Sequence, residues 1–254
     1  MAKLAHVPRL FVLAGTNGAG KSSIGGATIR LRGAEYFNPD EAAARIRAAQ
    51  PHLSATQANS AAWHEGKRLL QHAIAHGQDY NFETTLGGKS FAALLKDAAA
   101  KGFEVRIWYV GLASPEHHLA RVKARVKKGG HDIPEADIRR RFDQSRLQLI
   151  ELLPHLSELR VYDNSDDADP HAGKAPKPRL LLHWRQASMG TPRHQADVLV
   201  PASAQDLMST PDWAKPVVMA ALKLQSDAQT VPASADIKGA LPTDARPKRN
   251  RPAK

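Results

Sequence analysis

Cysteine is absent from the 254 residues, which excludes disulfides and every metal or catalytic site built on a thiolate. Aromatic residues are scarce at 6%, and alanine supplies much of the 42% hydrophobic fraction. No apolar run approaches the ~18 residues of a membrane-spanning helix. The first strand signal follows Met1 so closely that no secretory leader is expected. The expected location is therefore cytoplasmic, with no membrane contact. Acidic residues are also in deficit: 36 Lys and Arg stand against 25 Asp and Glu, a formal net charge of +11. That balance suits a nucleic-acid partner, and equally an enzyme that surrounds phosphates with cations. Part of the excess sits in the terminal run Arg246-Pro247-Lys248-Arg249-Asn250-Arg251.

Against these absences stands one dense motif. Residues 15–22 read Gly-Thr-Asn-Gly-Ala-Gly-Lys-Ser, a match to the P-loop pattern G-x-x-x-x-G-K-[ST]. Glycines let the backbone turn tightly and aim N–H groups at phosphate oxygens. Lys21 reaches the β- and γ-phosphates, and the Ser22 hydroxyl can hold Mg²⁺. The context agrees: Leu10 to Ala14 is a short apolar run of the buried-strand kind, and Lys21 to Arg32 is expected to be helical, its positive end towards the anion. The nucleotide-binding set is Gly15, Thr16, Asn17, Gly18, Ala19, Gly20, Lys21, Ser22 and Ser23, and the cofactors implied are ATP and Mg²⁺.

Strand-like and helix-like segments alternate from residue 9 to about 185. Strands are expected at 34–38, 80–85, 104–112, 159–162 and 179–184. Helices are expected at 41–50, from Ser54 to about 76, at 89–101, from Pro115 to about 128, and from Pro134 towards 153. This alternation argues for an α/β fold, a parallel sheet with helices on both faces in three layers, whose ligand lies at the carboxyl ends of the strands. The folded domain is placed at 8–185. Residues 186–254, rich in Pro, Ala, Ser, Asp and Lys, read as a mainly disordered basic tail with a possible helix near 213–224.

Polar clusters follow the strands. Asp40 can accept the proton of an acceptor hydroxyl or help to hold Mg²⁺, and it is equally placed to cap the helix that follows. Glu83 leaves the third strand beside Thr84 and Thr85, whose hydroxyls suit a polar substrate. Arg121 and Arg125 stand at i, i+4, on one helix face, where two guanidinia can neutralise charge on a transferred phosphoryl group. Gly129-Gly130-His131-Asp132-Ile133-Pro134 reads as a hinge before Arg139-Arg140-Arg141, so helix, hinge and basic helix resemble a lid. The fourth strand, Tyr109-Val110-Gly111-Leu112, offers no metal-holding acid, which argues against a motor ATPase.

Taken together, residues 13–22, Asn38-Pro39-Asp40, Phe82-Glu83-Thr84-Thr85-Leu86, the Arg121/Arg125 helix, residues 129–134, Ile138 to Phe142 and Asp163-Asn164-Ser165 resemble the zeta-toxin family, in its short bacterial form. The resemblance covers about residues 8–185. It implies a P-loop kinase fold and ATP-dependent phosphorylation of a sugar nucleotide, with UDP-N-acetylglucosamine as the best-known acceptor. It implies Lys21 and Ser22 at the phosphates and Mg²⁺, and Asp40 as the base. Glu83, Thr85, His131 and Arg139 become acceptor contacts, and Arg121 and Arg125 the transition-state arginines, work that Arg139 to Arg141 could share. An antitoxin is a common partner in the family. Two other readings stay open: a kinase for another small molecule or an RNA end, and a nucleotide-dependent protein that binds nucleic acid through its basic tail.

Overall fold

The computed structural model describes residues 6–26, 36–166, 177–186 and 196–230. Six strands form one sheet in the order β2-β1-β3-β4-β5-β6. These are β1 (Arg9–Ala14), β2 (Tyr80–Thr84), β3 (Glu104–Gly111), β4 (Glu158–Asp163), β5 (Arg179–Gln186) and β6 (Ala196–Val200). The first four pair in parallel, with Ala14 beside both Thr84 and Tyr109 and Gly111 beside Asp163. Their carboxyl ends therefore share one edge, where an α/β sheet binds its ligand.

Alternation along the strands sends Leu10, Val12, Val105, Ile107, Leu159 and Val161 to one face. There they meet apolar residues of α2 (Ala55–His76), α3 (Lys89–Ala100) and α5 (Glu135–Leu152). On the opposite face, Leu13 and Val110 pack on Ala19 and Ile24 from the P-loop segment. α1 (Pro39–Ala49) lies against α2 through Ala42, Ala43, Ala58 and Ala62. α4 (Pro115–Lys127) lies against α5 through Leu119, Val122 and Ile138.

Local chemistry sets the boundaries. Ser54 and Gln57 form a reciprocal capping box at the start of α2, and Gly77 ends that helix at φ 63°. Ser114 caps α4, with Pro115 at its first position. Asn38, not Asp40, caps α1: its Oδ1 accepts from the N–H of Asp40 at 2.9 Å and of Glu41 at 3.3 Å. The Asp40 carboxylate is thereby left to other partners.

Three departures from the sequence reading are clear. First, the sheet is not wholly parallel: β5 and β6 run antiparallel to their neighbours. Pro170, Gly173, Pro176 and Pro178 stand between β4 and β5, a composition opposed to the crossover helix that a parallel return requires. Second, the folded unit continues past 185. β6, α6 (Ala204–Met208) and α7 (Lys215–Thr230) follow, and Trp213, Ala214, Val217, Val218 and Ala221 are buried in the main core. Trp213, in the turn just before α7, and Val217 and Ala221, one helical turn apart on α7, together form the apolar surface by which this segment docks. Third, the second expected strand is reduced to one parallel bridge, Phe37 with Phe82. Its residues 34 and 35, the P-loop helix beyond Gly26, and residues 187–195 and 231–254 of the expected tail lie outside the described residues. Among the described residues, no helix is long and apolar enough to cross a membrane.

Candidate functional site

The loop after β1 winds through three left-handed glycines, Gly15 at φ 135°, Gly18 at 82° and Gly20 at 86°. Gly15 has no alternative: a Cβ there would lie 2.1 Å from the Val110 carbonyl oxygen. A single π-helical turn, Ser22–Gly26, follows. Behind the loop, the buried His118 places Nδ1 2.7 Å from the Asn17 carbonyl oxygen. Burial, reinforced by Lys21 and Arg121, lowers its pKa to about 4, against the partial support of the Asn17 carbonyl. The ring is therefore neutral and donates to that carbonyl.

This has a measurable consequence. A pKa depressed in the folded state means that the unfolded chain binds the proton more tightly. The stability is full above the ordinary pKa of 6.5 and falls as pH drops from 6.5 towards 4. The shift corresponds to about 3 kcal/mol at most. Thermal melts at pH 8 and pH 5 should show a midpoint loss in the wild type that His118→Asn substantially flattens.

Lys21 and Glu83 are both buried, with Nζ 3.4 Å from Oε1. The Ser22 hydroxyl donates to Glu83 Oε2 at 2.8 Å. Asn38 Nδ2 donates to the Ser22 oxygen at 3.3 Å and lies 3.5 Å from Glu83 Oε2. The carboxylate that ends β2 thus meets the lysine and hydroxyl that follow β1, as the parallel pairing of those strands requires. A cavity of about 220 Å³ opens over this cluster. Its polar side holds Asn17, Lys21, Asp40, Glu83, Thr85 and Arg141; its apolar side holds Phe37, Trp63, Phe82, Leu86 and Phe91.

A zeta-toxin family model matches residues 3–174. The chain belongs to the zeta-toxin family. An uncharacterized protein of Haemophilus influenzae is 34% identical to it over 131 residues, which are 50% of this chain and 88% of that protein. Among solved structures, a chain of the AvrRxo1-ORF1:AvrRxo1-ORF2 complex with sulphate ions aligns over 88% of this chain and 76% of its own, at 14% identity and a TM-score of 0.56. A chain of the AvrRxo1-ORF1:-ORF2 complex with ATP aligns over 70% of this chain and 58% of its own, at 17% identity and a TM-score of 0.53. These likenesses are of fold.

The zeta-toxin-family protein gathers some of the residues singled out in its sequence and separates others. Asp40 lies at the cavity wall with Oδ2 3.2 Å from Arg125 Nη1. Arg125 also donates to the His131 carbonyl at 3.2 Å. Thr85 lines the cavity, and its carbonyl accepts from Ser145 Oγ at 2.7 Å. Arg121 does not join Arg125: its Nη2 donates to the carbonyls of Asn164 at 2.7 Å and Asp166 at 3.2 Å. Ser23 is exposed on the π-helical turn. Arg139 lies outside the cavity lining, on the exposed side of α5, where Glu116 and Glu135 bind its guanidinium at 2.7 and 2.8 Å.

Arg141 lines the cavity instead, with Nη1 donating to Asn17 Oδ1 at 2.8 Å and Nη2 to Asp137 Oδ2 at 3.3 Å. Burial lowers its pKa from the ordinary arginine value, and Asp137 offsets this only in part, so an incoming anion would be favoured there. The signal for Arg141 was helical phase. It falls three residues after Ile138 and four before Ser145, both buried, whereas Arg139 points the other way. Trp63, Phe37 and Phe91 carry no local sequence signal that marks a cavity.

Oxygen donors fit Mg²⁺, which binds through one or two carboxylates together with phosphate oxygens. Ser22 and Glu83 supply a hydroxyl and a carboxylate in contact, beside the loop. No cluster of three metal-binding side chains occurs among the described residues, so the phosphates would complete the set.

Proposed function

We propose that this protein is an ATP-dependent kinase that transfers the γ-phosphoryl group of ATP to a hydroxyl of a small-molecule acceptor held in the cavity. The acceptor expected from the family resemblance is a sugar nucleotide such as UDP-N-acetylglucosamine. The observation that carries the reading is Glu83. This one carboxylate engages both Lys21 and Ser22 of the nucleotide loop and also lines the cavity. Nucleotide site and cavity therefore share a wall, which an in-line transfer requires.

The roles follow from position. Lys21 and the loop N–H groups hold the phosphates. Mg²⁺, held by Ser22 with Glu83 or Asp40, would neutralise phosphate charge when bound. The acceptor hydroxyl lies against Asp40, whose carboxylate takes its proton as the oxygen bonds to the γ-phosphorus and ADP leaves. Arg125 is the present partner of Asp40 and turns from it to the phosphoryl oxygens, with Arg141 approaching from the P-loop side. Thr85 orients the acceptor. A protein antitoxin that covers the cavity is the macromolecular partner this reading implies.

The apolar side supports an acceptor with a planar ring. Trp63 is 38% exposed and meets Phe91 edge-on at 5.8 Å, and rings stack readily on such a surface. Trp63→Ala is expected to raise the KM for the acceptor about tenfold and leave the KM for ATP within about twofold. Steady-state kinetics varying each substrate in turn will separate the two. The acceptor itself is tested by incubating the protein with ATP, Mg²⁺ and UDP-N-acetylglucosamine and weighing the sugar nucleotide by mass spectrometry. One added phosphate supports this acceptor; normal ATP binding with an unmodified sugar nucleotide rules it out.

A further inference from the structure

The family match ends at residue 174, yet the segment beyond it reaches the nucleotide loop through a continuous chain of contacts. Trp213 is 4% exposed and lies 6.3 Å, centroid to centroid, from Tyr109. A Cβ on Gly111 would come within 2.3 Å of its indole, so the end of β3 is glycine because this ring lies on it. Trp213 Nε1 donates to Asp163 Oδ1 at 3.3 Å. The same oxygen accepts from the Ser165 N–H at 3.3 Å and from the Ser165 hydroxyl. Ser165 Oγ in turn accepts from the Ala113 N–H at 2.7 Å. The turn that ends β4 is thus held at both flanks.

Asn164 sits at the centre of that turn, 2% exposed. Its N–H donates to the Gly111 carbonyl at 3.0 Å and its Nδ2 to the Ala19 carbonyl of the P-loop at 2.9 Å. Its own carbonyl accepts from Arg121 at 2.7 Å. Its Oδ1 is buried without a partner among the described residues. A half-satisfied buried amide costs stability that an apolar side chain would not, and the bond that this amide makes runs from Nδ2 to the P-loop. In a trans peptide, C=O and N–H point in opposite directions. Holding the Ala19 carbonyl on the Asn164 side sends the Gly20 N–H to the other side of the loop, towards the phosphates.

We infer that the C-terminal segment is a working part of the nucleotide site: Trp213 fixes the Asp163-Asn164-Ser165 turn, and Asn164 is a positioning residue that holds the P-loop at Ala19 in its phosphate-binding shape. The inference rests on the proposed reading of residues 15–22 as an ATP site. It makes truncation after residue 185, harmless if the rest were a tail, damaging to ATP binding.

The test is titration of the full chain with a non-hydrolysable ATP analogue, well below the thermal midpoint of every variant. Asn164→Ala is expected to weaken binding about tenfold. Trp213→Phe keeps a ring over Gly111 but loses the donor to Asp163, and should weaken binding about threefold. Because both act through one turn, the double variant should bind about as Asn164→Ala does, and the KM for the acceptor should stay at its wild-type value. A merely structural role would lower the thermal midpoints and leave analogue affinity unchanged. Wild-type affinity in both single variants, or additive losses in the double, overturns the inference and leaves the kinase reading standing. A wild-type chain that binds no analogue overturns both.

Discussion

Lys21→Ala is expected to lower phosphoryl transfer by about 10³-fold or more without unfolding the protein. The ammonium is in direct contact with Glu83 at the loop, and the phosphates to be held there carry several negative charges. Loss of a positioned charge in a buried site is among the largest single effects available to an active site. The fold should survive because the Glu83 carboxylate keeps the Ser22 hydroxyl at 2.8 Å and the neighbouring Asn38 amide. The residual cost is that of a buried carboxylate without its cation. The double variant Lys21→Ala, Glu83→Gln should therefore melt higher than Lys21→Ala alone and remain equally inactive. Turnover assays and melts on both variants separate lost chemistry from lost structure.

Asp40→Asn should lower kcat by about 10²- to 10⁴-fold and leave ATP affinity within about twofold. Asparagine keeps the shape and removes the ability to take a proton. Two observations favour the base over a structural role. Helix α1 is capped by Asn38, which relieves Asp40 of that duty. Its partner Arg125 is only 3.2 Å away, and both side chains are partly exposed, so the pair is weak and exchangeable. Kinetics and analogue binding measured on the same sample decide the matter. Parallel loss of kcat and ATP affinity would make Asp40 a metal ligand instead, and an unchanged kcat would remove it from the mechanism.

What the sequence disclosed was what is local. Residues 15–22 carry their own chemistry, and the flanking apolar run fixes their setting. Ser54 with Gln57, Gly77, and Ser114 with Pro115 bound their helices by short-range hydrogen bonds and backbone preference, so those limits were readable. What escaped depends on contacts distant in the chain. The run Arg139-Arg140-Arg141 was legible as a source of arginines for the phosphoryl group, but which of the three reaches the cavity depends on the face of α5 it occupies, and that face acquires meaning only once Asn17 lies opposite. Asp40 and Asn38 both suit a cap, and geometry alone separates them. Residues 196–230 look like tail by composition, because the strand β5 and the core that give Trp213 and Val217 a place to bury are built from elsewhere in the chain. Trp63 was invisible as a cavity residue for the same reason.

On the proposed function, the P-loop and the Asp40–Glu83 cavity make one site that transfers a phosphoryl group to a hydroxyl. This is tested most directly by following the label of γ-³²P-ATP through a single turnover, with a mixture of hydroxyl-bearing nucleotides and sugars as acceptors. Label is expected in an organic phosphate ester formed by the wild type and absent with Lys21→Ala. Label found only in inorganic phosphate, or transfer undiminished in Lys21→Ala, would contradict it.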